Sequence, residues 1–412
     1  MTLEPATIPD HVPDALVAEW DHYNDPRLLR DPHRAYGDLR ARHRIFFSPL
    51  NGGFWVITRY EDIFDALRRT DLWSSKYLAI PARDNFLMPI NLDPPDHTKY
   101  RRLVIQAFTP SRIRALEDSI RESARTTVTE RAEHDTCEFM NEVARPYPAT
   151  IFSRILGTPG DQWPRFMNWN HTILHVGDMN ARADATSAVT EYLRELIAQR
   201  AADPQHDLLS SLLTVEVDGE RLTEQELLSF AVLLFMAGLD TVSGALGFIF
   251  GFLAQSPDHR RQLVNEPELV RPAVEELIRY SSNVQLSRTA TTDFQFAGVQ
   301  IKAGDRLMLP LISANRDDRA FPDPDRVDFR RTPNRHIAFA TGPHLCLGAH
   351  LARHEIAILL EEWHRQIPDY QLPAGHVLAH HGGGLVNLNE LPLQLGSGEN
   401  STVSRGALHA ST

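Results

Sequence analysis

Between Leu227 and Ala254 the chain runs through 28 residues with one charged side chain, Asp240. That run exceeds the ~20 apolar residues that span the hydrocarbon of a bilayer. Three features favour a helix buried in protein. Asp240 lies near the centre of the run, where a carboxylate is costly in lipid. No lysine or arginine cluster flanks it as membrane topology requires. Thr223 and Glu226 have capping-box spacing ahead of it, and Ser256-Pro257 stops it. The pattern predicts a central helix roughly 45–50 Å long at ~1.5 Å per residue, enough to cross a whole domain.

A helix that apolar needs other elements around it, and the rest of the chain reads accordingly. Helical patterns dominate from about residue 97 to 282, with short helices over 35–42 and 61–69. Phe54 to Thr58, after Asn51-Gly52-Gly53, reads as a strand leaving a turn. Phe294–Phe296, Val299–Ile301 and Leu307–Leu309 alternate as a small hairpin or meander. The expected fold is mainly α with a small β portion, in one domain over residues 1–395. Residues 1–34 read as an irregular arm, and 396–412 as a frayed polar tail. The loop over 317–345 is long for a structureless connection, which points to a functional role.

The 412 residues carry a net charge of −12, which argues against a general nucleic-acid binder. Two cysteines, Cys137 and Cys346, are no disulfide framework and fit a reducing cytoplasm. The N-terminus has neither the basic nor the apolar region of a secretory signal. These features describe a soluble protein, expected to be monomeric and bound to neither nucleic acid nor membrane.

Phe339-Ala340-Thr341-Gly342-Pro343-His344-Leu345-Cys346-Leu347-Gly348 places Cys346 between a glycine-containing loop and an amphipathic helix. A sulfur at a helix start meets unpaired N–H groups and the positive end of the helix dipole, both of which favour thiolate. Gly342 and Gly348 permit close approach of the backbone to a large flat group, or positive φ. Cys346, His350 and His354, spaced by four with His344 nearby, also suit zinc. A buried, inert thiol is a third reading.

Other motifs bear on the choice. Ala237-Gly238-Leu239-Asp240-Thr241 puts a hydroxyl and a carboxylate beside a glycine inside the apolar helix. Threonine can bend a helix by bonding the carbonyl four residues back, opening a groove. Glu276 and Arg279 share a helical face, as do His97 and Arg101.

Taken together, these segments resemble the cytochrome P450 family, and within it the bacterial camphor hydroxylase group. Asn51-Gly52-Gly53-Phe54-Trp55, Ser256-Pro257-Asp258-His259-Arg260 and the cysteine segment all read like it. The resemblance implies haem b held by the Cys346 thiolate, with Phe339, Gly348, Ala237 and Gly238 around it and the central helix above. It implies that His97, Arg101, Arg288 and His344 neutralise the propionates. It makes Asp240 and Thr241 the acid–alcohol pair relaying protons to dioxygen, and Glu276 and Arg279 a structural pair completed by Arg326. Cys346 would push electron density onto iron and favour O–O cleavage.

The activity implied is hydroxylation of a small hydrophobic substrate, a monoterpenoid or norisoprenoid. The lining would be Phe86, Leu87, Leu233, Met236, Val284, Leu286, Leu385 and Val386. Electrons would come from a [2Fe–2S] ferredoxin with its reductase, docking against Lys99, Arg102, Arg335 and Arg353. Alternatives are a peroxide-driven peroxygenase, which would not need the acid–alcohol pair, or a non-enzymatic zinc- or haem-binding module. Ala340 departs from the glycine usual in the family signature. Asn85 and Phe86 stand where the camphor enzyme orients its ketone, which sets a camphor-like contact aside.

Overall fold

Thr223 Oγ1 accepts from the Glu226 N–H at 3.2 Å, and Glu226 Oε2 accepts from the Thr223 N–H at 2.8 Å. This capping box starts a helix over Glu224–Gln255, roughly 48 Å long at ~1.5 Å per residue. A computed structural model describes residues 5–82, 87–176 and 179–396. In it the central helix is wrapped by the helices Pro146–Leu156, Trp163–His175 and Met179–Ala202. Phe230, Phe235, Leu239, Leu246, Ile249 and Phe250 are at most 1% exposed, so the hydrophobicity of the run is spent on a protein core. Leu233, Ala237, Thr241 and Ala245, one turn apart, keep surface of their own. Met236, Gly238 and Val242 beside them are also only partly covered, so the middle of the helix is open along this side.

The helix that follows the cysteine, Ala349–Gln366, packs on Glu117–Ala132 and on Val270–Tyr280. Trp363 near its end is fully buried against Phe139 and Phe250. Beside this helical body lies a five-stranded sheet in the order Ile45–Ser48, Phe54–Ile57, Arg306–Pro310, Gln285–Ala290, Trp73–Ser74. Only the pairing of Arg306–Pro310 with Phe54–Ile57 is parallel. Phe294–Phe296 and Val299–Ile301 form their own hairpin, so the expected meander divides between two sheets.

The expected irregular arm is more ordered than its composition indicates. Asp25-Pro26 and Asp31-Pro32 each combine an N-capping carboxylate with proline at the first helical position. They start helices over Pro26–Arg30 and Pro32–Arg42, with Asp25 accepting from the Arg27 N–H at 2.9 Å and Asp31 from the Arg34 N–H at 3.1 Å. Trp20 and Leu28 are fully buried, which anchors the arm to the domain. The expected tail lies outside the described residues, except for Gly396, whose N–H donates to Asp369 O.

Candidate active site

The cysteine loop is a turn held by its own backbone. The Cys346 N–H donates to Phe339 O at 2.9 Å, and Gly348 is the N-cap of the helix beginning at Ala349. Ala340 sits at φ +59° and Gly342 at φ +72°, both left-handed. A Cβ on Gly342 would come within 2.9 Å of Leu67 O, so this position requires glycine. Gly348 has an ordinary φ and open space where a Cβ would lie, so its freedom is steric access. Because Cys346 precedes the helix, it does not share a helical face with His350 and His354. Among the described residues no three potential ligands gather to hold a metal ion.

Cys346 keeps surface of its own yet lies within the fold. Burial is the largest influence on its thiol and raises it above the ordinary value, against the Gly348 N–H and the charges of Arg101 and Arg353, which lower it. The Gly348 N–H at the helix start acts in the expected direction, toward thiolate. Desolvation outweighs that N–H and the two arginine charges, and a bound metal would hold the sulfur deprotonated.

Around the loop stands a cluster of bases. His97 is 1% exposed, and neither ring nitrogen has a hydrogen-bond partner among the described residues. Its ring lies 4.0 Å, centroid to centroid, from that of His344, whose Nε2 is 3.1 Å from Ser75 Oγ. Arg288 is 3% exposed, makes one bond, to Ser287 O at 2.8 Å, and has no carboxylate partner among the described residues. Arg101 donates to Leu345 O in the cysteine loop. Burial, then repulsion from Arg101, holds His97 down to about 4; burial, then Arg288, holds His344 down to about 2. Burial also lowers Arg288 to about 10. The buried guanidinium of Arg288, the half-buried one of Arg101 and two neutral imidazoles, of which His97 has both nitrogens unsatisfied, are the donor set that a buried dianion requires. The residues therefore fit the two propionates of a haem, and neither zinc nor an inert core calls for them.

On the central helix Thr241 Oγ1 donates to Ala237 O at 3.1 Å, the four-residue back-bond expected of a bent segment. Asp240 is 9% exposed and accepts from Asn387 Nδ2 at 3.3 Å. The expectation for Gly238 needs correction. A Cβ there would lie 2.4 Å from the Phe152 ring, so this glycine admits a neighbouring helix.

Glu276 and Arg279 form a bidentate pair at 2.8 Å, buried to 1% and 0% exposure. The expected third member is corrected as well. Arg326 contributes only its carbonyl, and the guanidinium that reaches Glu276 belongs to Arg331, at 3.0 and 3.1 Å. The Asp328 N–H at 3.0 Å and Asn334 Nδ2 at 3.2 Å also donate to Glu276. Five donor nitrogens of four residues, from one helix and one loop, thus converge on a single carboxylate. This network pins the long irregular segment that leads to Cys346.

Next to Glu276, Glu275 takes His336 and Arg353. Burial raises Glu275, but these two partners outweigh it and hold the carboxyl down to about 2. Arg353 also lies over the Phe339 ring at 4.5 Å, bracing the start of the cysteine loop.

A cleft of about 840 Å³, open mouth included, is lined by Leu78, Ala79, Ile80, Ile173, Leu174 and Met308 among others. Of the expected lining, Leu87, Met236 and Leu286 face it. Leu233 packs toward the main core, Val284 and Leu385 pair with each other as a β-bridge, and Val386 is fully buried against another cluster. Phe86 and Asn85 lie outside the described residues. His22 and Tyr23, from the N-terminal arm, line the cleft and were not foreseen.

The cytochrome P450 family model matches residues 49–363. The chain is 37% identical over 399 residues to a probable cytochrome P450 127A1 of Sinorhizobium fredii, covering 94% of this chain and 96% of that one. It is 33% identical over 370 residues to a steroid C26-monooxygenase of Mycobacterium tuberculosis, covering 88% and 92%. The crystal structure of CYP101C1 superposes with a TM-score of 0.89 at 29% identity, over 95% of this chain and all of that one. That of CYP101J2 superposes with a TM-score of 0.88 at 30% identity, again over 95% of this chain. This chain belongs to the cytochrome P450 family. It is a haem-thiolate monooxygenase with haem b as its cofactor, and its structural neighbours include the CYP101 group.

Proposed function

We propose that the protein hydroxylates a compact hydrophobic molecule, a monoterpenoid or norisoprenoid, using dioxygen and electrons from a [2Fe–2S] ferredoxin. The observation that carries this reading is the cleft, whose walls are mostly aliphatic and run from the sheet to Met236 on the central helix. Two of its polar members are already engaged. Asn91 accepts from the Leu87 N–H at 2.8 Å, and Gln285 donates to Gly383 O at 2.6 Å. The likeness to CYP101 structures adds support, although relatives are named for steroids and for methyl-branched lipids.

In this reading Cys346 would ligate the haem iron, and His97, Arg101, Arg288 and His344 would hold the propionates. The haem, so held, supplies dioxygen activation and C–H oxidation. The protein's part is to exclude water and to control protons. Thr241 presents its hydroxyl beside Ala237, and Asp240 passes protons inward from solvent. Of the expected docking patch, Lys99 is paired with Asp218 at 2.5 Å and Arg353 with Glu275. Arg102 and Arg335 remain exposed for an acidic ferredoxin. The place of action is the cytoplasm.

Titration of the ferric holoprotein with terpenoids, norisoprenoids and steroids tests the substrate class. Compact terpenoids are expected to shift the haem band at micromolar concentration. A shift with steroids alone would overturn the size assignment.

A further inference from the structure

One wall of the cleft, Tyr77 to Ile80, follows the short strand Trp73–Ser74 and has no regular secondary structure. Among the described residues no backbone–backbone hydrogen bond reaches it. Side chains from the sheet hold it. Arg306 Nη2 donates to Ala79 O at 2.7 Å and to Tyr77 O at 3.2 Å, and lies 3.2 Å from Ser287 Oγ. Ser287 Oγ donates to Tyr77 O at 2.9 Å. The guanidinium also sits 5.3 Å from the centroid of the Tyr77 ring.

Arg306 is an unusual residue for this position. No carboxylate pairs with it among the described residues, and its Nε and Nη1 are buried without partners. Burial lowers its pKa to about 10. A cation kept there without a counter-ion carries a desolvation cost, offset by the bonds Nη2 makes to the wall. The strand it comes from, Arg306–Pro310, pairs with Gln285–Ala290, and Met308, Leu286 and Ser287 on these strands line the cleft. Arg306 therefore couples the rigid sheet to the one wall that lacks backbone support.

We propose that Arg306 is a positioning residue that sets the width of the cleft, and so the size of molecule admitted. This rests on the reading of the cleft as the substrate site. It makes Tyr77–Ile80 a wall whose place depends on one guanidinium, and Ser287 an accessory to it.

The test is spectroscopic titration of the ferric holoprotein with imidazole and with 4-phenylimidazole, two iron-coordinating probes that differ in size. Arg306→Gln is expected to change the ratio of the two dissociation constants by about fivefold or more, the scale of one charged hydrogen bond. Imidazole alone should bind as before, and turnover need not be measured. Ser287→Ala should move the ratio in the same direction by less. If Arg306→Gln gives little holoprotein, Arg306→Lys, which keeps the charge but ends one atom short of the nitrogen that reaches both carbonyls, carries the same comparison. A ratio that stays constant in these variants overturns the proposal. If neither azole perturbs the unsubstituted protein, the failure lies in the haem-site reading beneath it.

Discussion

Asn387 Nδ2 donates to Asp240 Oδ2 at 3.3 Å, joining the one charge inside the apolar run of the central helix to a strand 147 residues away. Asn387 Oδ1 accepts from Asn283 Nδ2 at 2.8 Å, and that bond fixes which end of the amide faces the carboxylate. Gly244, one turn beyond Asp240, makes the approach possible, since a Cβ there would lie 1.9 Å from Asn387 Oδ1. Asp240 is thus held as an acceptor inside the fold, in a defined direction.

Asn387→Asp removes the donor and sets a like charge against Asp240. If Asp240 passes protons inward, turnover should fall about tenfold or more, with a larger solvent isotope effect. Haem content and the carbon-monoxide difference spectrum serve as the folding control. Unchanged turnover would detach this carboxylate from proton delivery.

Thr241→Ala should leave substrate binding within about twofold, because the hydroxyl is engaged with Ala237 O and not with the cleft. Reducing equivalents should instead appear as hydrogen peroxide. Thr241→Ser, which keeps the donor, should restore product formed per electron consumed. Equal coupling in all three proteins would remove Thr241 from the mechanism.

The central helix was readable because its evidence is local: a capping box, an apolar run and a stop within about 35 residues. The cysteine loop was readable for the same reason. Asn387, Arg331 and Arg306 were not, since each acts through contacts with residues remote in sequence. Arg326 and Arg331 lie in the same arginine-rich loop, and composition cannot say which of them turns toward Glu276. Gly238 looked like a groove residue because its neighbours are polar, while its physical reason, Phe152, comes from another helix.

The Glu276 network separates those two arginines experimentally. Glu276→Gln leaves Arg279 buried without a counter-charge, which costs about 3–5 kcal/mol. It should release the 317–345 segment and lower haem retention. Arg331→Ala should act in the same direction, whereas Arg326→Ala, which removes no bond to Glu276, should stay within about 0.5 kcal/mol. Haem content and denaturant midpoints rank the three, and an Arg326→Ala as damaging as Arg331→Ala would refute the assignment.

Ala340 holds φ +59° with a side chain that disfavours it. Glycine removes that penalty but enlarges the unfolded ensemble, so Ala340→Gly should stabilise by a net ~0.5–1 kcal/mol. Thermal unfolding of the holoprotein should shift up by a degree or two on the order of what such a gain produces in a large domain. A lower midpoint would mean that the loop is not left-handed at this residue.

Glu355, on the helix after the cysteine, is 2% exposed, and burial alone raises its carboxyl well above the ordinary value. The sign of its contribution follows from linkage. Below the unfolded value of 4.5 both states hold the proton, and the stability linked to it is fully present. As pH rises past that value the unfolded chain releases the proton first, and stability falls by ~1.4 kcal/mol per pH unit until the folded state releases it too. Glutamine has the same shape and no proton to lose. Glu355→Gln should therefore match the unsubstituted protein below pH 4.5 and exceed it increasingly as pH rises above that value. Melting curves of both proteins across that range measure the difference directly. A gap that does not widen with pH would mean that Glu355 is ionised in the folded state.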